Sequence, residues 1–231
     1  EARNALFEDS TDLTASADFT VDLMDVGDGI RYMNQPIHVR NMFGVAQYPS
    51  ILREPLLLQS LHNLALTCAK VAGGATTMRM QFGGVYSFPW AADLERDPEG
   101  AASMRRWIQS RLERRKYVYP FYMTTDLAVS LAGNGSAQAI GKVGDNGQFQ
   151  ILAITILSTG TGTVQISLVR SKQRIMNAPI AFNAALGTAQ LPTLLAVPYT
   201  VPVGSKIQFD FTDTSGSTNN VRICLQGRIV R

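Results

Sequence analysis

From Tyr119 to the C-terminus the chain alternates apolar and polar residues in short runs separated by Gly, Asn, Ser and Asp, a rhythm that points to antiparallel β-structure. Phe121, Met123, Leu127, Val129 and Leu131 fall on one face, with Tyr122, Thr124, Asp126 and Ser130 on the other. Gly133-Asn-Gly135 and Gly144-Asp-Asn-Gly147 read as turns. Residues 150–157 are apolar on both faces, the mark of a central strand covered from both sides. Val164, Ile166 and Leu168, then Ile207, Phe209 and Phe211, then Val221, Ile223, Leu225 and Ile229 form further inward sets. Arg222, Gln226 and Arg228 point outward on the last strand, and Cys224 shares their side. A thiol there implies either that another element or subunit covers the face, or that the thiol is exposed.

The crossing from about 170 to 205 contains Pro179, Pro192, Pro198 and Pro202, which belong on edges or in loops. Long connections of that kind suit a Greek key or jelly roll. The expected fold is therefore mainly β: an antiparallel, jelly-roll-like β-sandwich over 118–231, with an N-terminal α+β portion containing two helices. An immunoglobulin-like sandwich is the alternative, and it lacks paired cysteines, since the chain has only Cys68 and Cys224.

Before residue 118 the signals are mixed. Residues 18–24 alternate, with Phe19, Val21 and Leu23 opposite Asp18, Thr20 and Asp22, and 25–29 reads as a turn. From about 52 to 72, Leu57, Leu61, Leu64, Ala65, Cys68 and Ala72 recur at helical spacing, with Pro55 tolerable only in a first turn and Gly73-Gly74 as the stop. This places Cys68 in a buried stripe and His62 on or near a helix surface. Residues 76–82 alternate again before a turn at Gly83-Gly84. A second helix has Asp97 as cap, Pro98 at the first position and Glu99 in the first turn, then Met104, Trp107, Ile108 and Leu112 as an apolar stripe directed at the core. The organisation is thus an acidic arm with one strand (1–30), an α+β docking region (31–117) and the sandwich (118–231).

Charge is unevenly placed. Residues 1–30 carry a formal −7 and the remainder +10, half of the latter excess within 101–116. Asp22, Asp25 and Asp28 on the arm, and Arg105, Arg106, Arg111, Arg114, Arg115 and Lys116 on the helix, are candidate interaction residues. They imply intramolecular neutralisation, head-to-tail contact between copies, or two solvated surfaces. Phe182, Leu194 and Tyr199 are candidates of another kind, because 170–205 is unusually apolar for a solvated connection. That segment either meets a partner or folds over one end of its own sandwich. The longest apolar runs stop well short of the roughly 18 residues a membrane span needs. No charged-then-apolar leader opens the chain, and a start at Glu1 instead of Met implies a missing start or a processed form.

Groups suited to covalent chemistry are sparse. His38 and His62 both read as packing or surface residues, no G-x-S-x-G elbow occurs, and the cysteines and histidines lack zinc spacing. Asp213-Thr-Ser-Gly-Ser-Thr-Asn-Asn220 departs from the EF-hand pattern and reads as a turn held by side-chain-to-backbone hydrogen bonds. Asp22, Asp25 and Asp28 read as a solvated acidic surface before they read as a cation site. Thr159-Gly-Thr-Gly162 lacks the Lys and the helix of a phosphate loop. No cofactor or metal is expected, and nucleic-acid contact through the basic helix is disfavoured by the acidic arm.

The C-terminal half resembles virion proteins of tailed bacteriophages. The likeness rests on Tyr119-Pro-Phe-Tyr-Met-Thr-Thr-Asp126, Met176-Asn-Ala-Pro179, Leu186-Gly-Thr-Ala189, Val197-Pro-Tyr199, Phe211-Thr-Asp-Thr-Ser-Gly216 and Val221-Arg-Ile-Cys-Leu-Gln-Gly-Arg228. It implies a non-enzymatic part of the particle, of capsid cement, vertex or collar type, with no catalytic residues to carry over. Its partners would be major capsid or head-tail connector subunits and further copies of itself, with no membrane and a place in the virion after assembly in the host cytoplasm. A different class, a lectin-like module for host-surface sugars, would use Asp213, Asn219 and Asn220 near Tyr199.

Overall fold

The computed structural model describes residues 2–9, 18–43, 50–56, 58, 62–72, 78–84, 97–114, 117–125, 129–169, 171–185, 187–188 and 191–231. The first half contains β1 (Ala2–Asp9), β2 (Asp18–Asp25), β3 (Ile30–Arg31), β4 (Ile37–His38), α1 (Val39–Met42), β5 (Ser50–Leu56), β6 (Leu64–Ala72), β7 (Met78–Gly84) and α2 (Pro98–Arg114). The second half contains β8 (Val118–Thr124), β9 (Val129–Leu131), β10 (Ser136–Lys142), β11 (Gln148–Ser158), β12 (Gly162–Leu168) and β13 (Ile180–Ala181). It ends with α3 (Phe182–Ala185), β14 (Thr193–Val201), β15 (Lys206–Asp213) and β16 (Asn219–Val230).

The second half is a jelly roll. Strand β8, paired with β16, is the outermost rung of one long antiparallel hairpin. The next rungs are β10 with β15, β11 with β14, and β12 with β13. Rolling that hairpin up adds the pairs β11–β16 and β12–β15, which yields one sheet of order β14-β11-β16-β8 and another of order β10-β15-β12-β13. Strand β9 continues the line of β8 along β16. Val164, Ile166, Ile207, Phe209, Phe211, Val221, Ile223 and Leu225 are buried, on the inward side that their alternation predicts. Phe121 meets Phe149 edge-on at 5.6 Å and Phe182 meets Phe211 at 6.3 Å. Such aromatic pairs add to the roughly 1.5–3 kcal/mol that burying each large apolar side chain contributes.

The N-terminal half is largely strand. Strands β3, β2 and β4 form a sheet that β6 joins along β2, and β5, β1 and β7 form another, in that order. The helix expected over 52–72 is replaced by β5 and β6. The apolar residues there are dense enough to satisfy either period, and pairing decided between them: β6 runs antiparallel to β2 along its whole length, from Asp18 opposite Ala72 to Asp25 opposite Leu64. Cys68, expected on a buried stripe, is exposed as a result. Gly83 and Gly84, expected to turn the chain, lie inside β7. The expected second helix is present as α2, with the Asp97 carboxylate accepting from the Gly100 amide at 2.9 Å. Its Trp107 does not enter a core; it is 47% exposed.

The two halves are stitched together. Tyr122 donates its amide to the Tyr32 carbonyl and accepts from Asn34, so residues 32–34 extend the β8 edge. The Asn34 side chain then bonds both the amide and the carbonyl of Thr124, and Gln35 donates to the Thr125 carbonyl. Over the outer face of β11 and β16, α1 brings the Asn41 carbonyl to Gln226 Nε2 at 3.1 Å, while Asn41 Nδ2 donates to the Arg222 carbonyl. Glu54 on β5 pairs with Arg228 at 3.2 Å. This cover explains Cys224: it lies on the outward face of β16 and is fully buried.

Candidate functional site

The predicted acidic residues have separate fates. Arg31 binds the Asp22 carboxylate with two nitrogens, at 2.9 and 2.5 Å. Asp25 follows Phe19, Val21 and Leu23 onto the inward face of β2 and is fully buried, so it is not part of a solvated acidic surface. Its carboxylate accepts from the Gly27 amide at 2.9 Å and lies 3.1 Å from His62 Nδ1. His62 thus sits in a loop beside a buried carboxylate, not on a helix. Asp25, Asp28 and His62 each place one ligand-type atom within 4.8 Å of the others, a donor set compatible with a divalent cation. The same Asp25 oxygens already serve the turn and the imidazole.

Arg105, Arg106 and Arg114 are exposed along α2. The side chain of Arg111, and Arg115 and Lys116 altogether, lie outside the described residues. Among the described side chains no ion pair joins Asp22, Asp25 or Asp28 to Arg105, Arg106 or Arg114.

The apolar crossing divides in two. Met176 and Phe182 are buried in the sandwich, and Leu195 and Tyr199 pack against its core. Leu191, Leu194 and Val197 point to solvent at 81, 57 and 78% exposure. They lie on or beside β14, an edge strand of its sheet, where Pro198 is tolerated.

The lectin-like constellation does not assemble. Tyr199 stands opposite Ile151 near the start of β11, while Asn219 caps the turn beyond its far end by accepting from Thr159 and Gly160. Seven residue steps along β11 lead from Ile151 to Ser158, about 23 Å. Asp213 and Asn219 are buried and bonded to each other at 3.2 Å. The loop is the side-chain-held turn the sequence predicts. Burial works to raise the Asp213 pKa, but donation from the Asn134 amide, the Ser215 hydroxyl, the Asn219 side chain and the Ser215 amide outweighs it and holds the group down at about 2.

Sequence reasoning missed a cleft of about 600 Å³ where residues 29–34 meet β8, the β10–β11 turn and the start of β15. Its walls are apolar (Ile30, Met33, Tyr119, Phe121), and its charged lining is Arg31, Lys142, Lys206 and Arg231. Arg31 is held by Asp22, and Lys142 lies 3.7 Å from Asp145. Arg231 places its guanidinium 5.4 Å from the centre of the Tyr119 ring and donates to the Asn146 carbonyl. These four cations come from positions 31 to 231, so no local pattern could have announced them.

The geometry defines a jelly-roll β-sandwich with an N-terminal α+β cover. No family model and no curated protein matches the chain. Among solved structures it is similar to a chain from "Structure of infectious bursal disease virus Gx strain", at 12% identity and a TM-score of 0.24 over 99% of this chain and 55% of that one. A score that low carries no argument, and the chain spans about half the length of the one it matches. No helix among the described residues is long and apolar enough to cross a membrane.

Proposed function

We propose that this chain is a non-enzymatic structural protein of a phage virion, attaching to capsid or head-tail connector subunits and to further copies of itself, and stabilising the particle. The observation that carries the reading is the exposure of Leu191, Leu194 and Val197 on and beside β14, an edge strand of its sheet. An edge of that kind offers unpaired backbone groups together with apolar area, the two things a subunit junction buries. The test mixes purified protein with emptied phage capsids and measures co-sedimentation and copy number. Repeated copies are expected on the particle, lost when Leu194→Asp and Val197→Asp are combined. A protein that stays monomeric and leaves the capsids bare would overturn the reading.

A further inference from the structure

The cleft between the N-terminal hairpin and the sandwich combines an apolar wall with cations that the fold does not fully neutralise. Tyr119 and Phe121 of β8 line it together with Ile30 and Met33. Among the described residues no acidic residue lines the cleft. Asp22 answers Arg31, and Asp145 stands near Lys142, but among the described residues no carboxylate comes within ion-pair distance of Lys206 or Arg231. A recess of this size, with apolar walls and two cations that lack a carboxylate partner, is built for an anion attached to an apolar body.

We infer that the cleft receives an acidic segment of a neighbouring protein subunit, with an aliphatic or aromatic side chain seated against Ile30, Met33 and Phe121 and a carboxylate held by Lys206 and Arg231. This deepens the virion reading and rests on it, since it names the chemistry of one junction. Charge complementarity selects an anion, and the aromatic geometry selects a peptide over a nucleic acid. Single strands are held by open ring faces and a track of cations. Here Arg231 covers the Tyr119 ring, Phe121 turns its ring to Phe149, and the cations surround one recess. Carboxylate pairing at such a rim is sensitive to salt, and the apolar anchor is not.

The experiment uses the full chain and a dye-labelled synthetic peptide in which glutamates flank a leucine and a phenylalanine, read by fluorescence anisotropy. Binding is expected to weaken steeply as salt rises, and to fall about tenfold or more when Lys206→Glu and Arg231→Glu are combined. Reversing Lys70 and Lys172, exposed and outside the cleft, should leave it unchanged. Should the double reversal unfold, Lys206→Gln with Arg231→Gln gives the same comparison with less repulsion. Equal binding by the double variant, or by a peptide with glutamine in place of glutamate, overturns the inference. So does tighter binding of oligothymidylate that depends on Lys206 and Arg231, which would make the cleft a nucleic-acid site. Loss of peptide binding with capsid association intact would remove the cleft alone. Peptide binding without capsid association would remove the virion reading instead.

Discussion

Asp213 shows how one side chain can hold a loop. Its Oδ2 accepts from the amides of Asn134, Ser215 and Gly216, and its Oδ1 accepts from Ser215 Oγ and Asn219 Nδ2. The turn after β9 and the turn before β16 are therefore tied to one carboxylate. Its pKa of about 2 in the folded chain lies below the 3.8 of an ordinary aspartate, so its stabilising effect is complete above about pH 4 and is lost as the pH falls towards 2. Asp213→Asn keeps one acceptor and loses the charge. Urea midpoints of the two proteins should differ most at neutral pH and converge between pH 4 and pH 2. A gap that stays constant over that range would show that the charge plays no part.

At the scale of the element, the β11–β16 ladder is the backbone of the sandwich, and it carries an irregularity. The register slips between Ile151 and Ala153, opposite Gly227 and Gln226. A Cβ on Gly227 would collide with the Gln150 carbonyl oxygen and lie 2.8 Å from the Phe149 ring, so this close approach requires glycine. Gly227→Ala should cost about 3 kcal/mol in chemical denaturation. Gly144 meets nothing within 4 Å, and Gly144→Ala should stay within about 0.5 kcal/mol of the parent. Equal losses at both positions would mean that flexibility, not crowding, is what these glycines supply.

The whole molecule is a sandwich whose one outer face is covered by its own N-terminal half. Thr155, Cys224 and Gln226 lie under α1, and Tyr122 lies beside residues 32–34 on a strand that β5 contacts. Burial pushes the Cys224 thiol up, partly offset by the Thr155 hydroxyl, and partial burial also raises Cys68. In the intact chain, iodoacetamide followed by mass spectrometry should label the exposed Cys68 and leave Cys224 untouched until denaturant is added. Removing residues 1–117 should make Cys224 react, because the face it shares with Thr155 and Gln226 is covered by that half in the intact protein. A fragment with an inert Cys224 would show that the sandwich closes without its cover.

Local chemistry made the sandwich readable in advance. Side-chain alternation, Gly and Asn at the turns and prolines confined to edges are properties of a few adjacent residues, as is the Asp97-Pro98-Glu99 start of α2. The buried place of Asp25 was missed: the alternating run ends at residue 24, although Asp25 lies two positions beyond Leu23 on the same face. Pairing across long separations was not legible either. Leu64–Ala72 suits a helix or a strand, and only the open edge of β2 settles which. The cover over Cys224 and the union of Arg31, Lys142, Lys206 and Arg231 around one cleft depend on how folded elements meet in space. Period and turn residues encode the path of each strand, whereas the contacts between distant strands are chosen by which arrangement buries the most apolar surface with its hydrogen bonds satisfied.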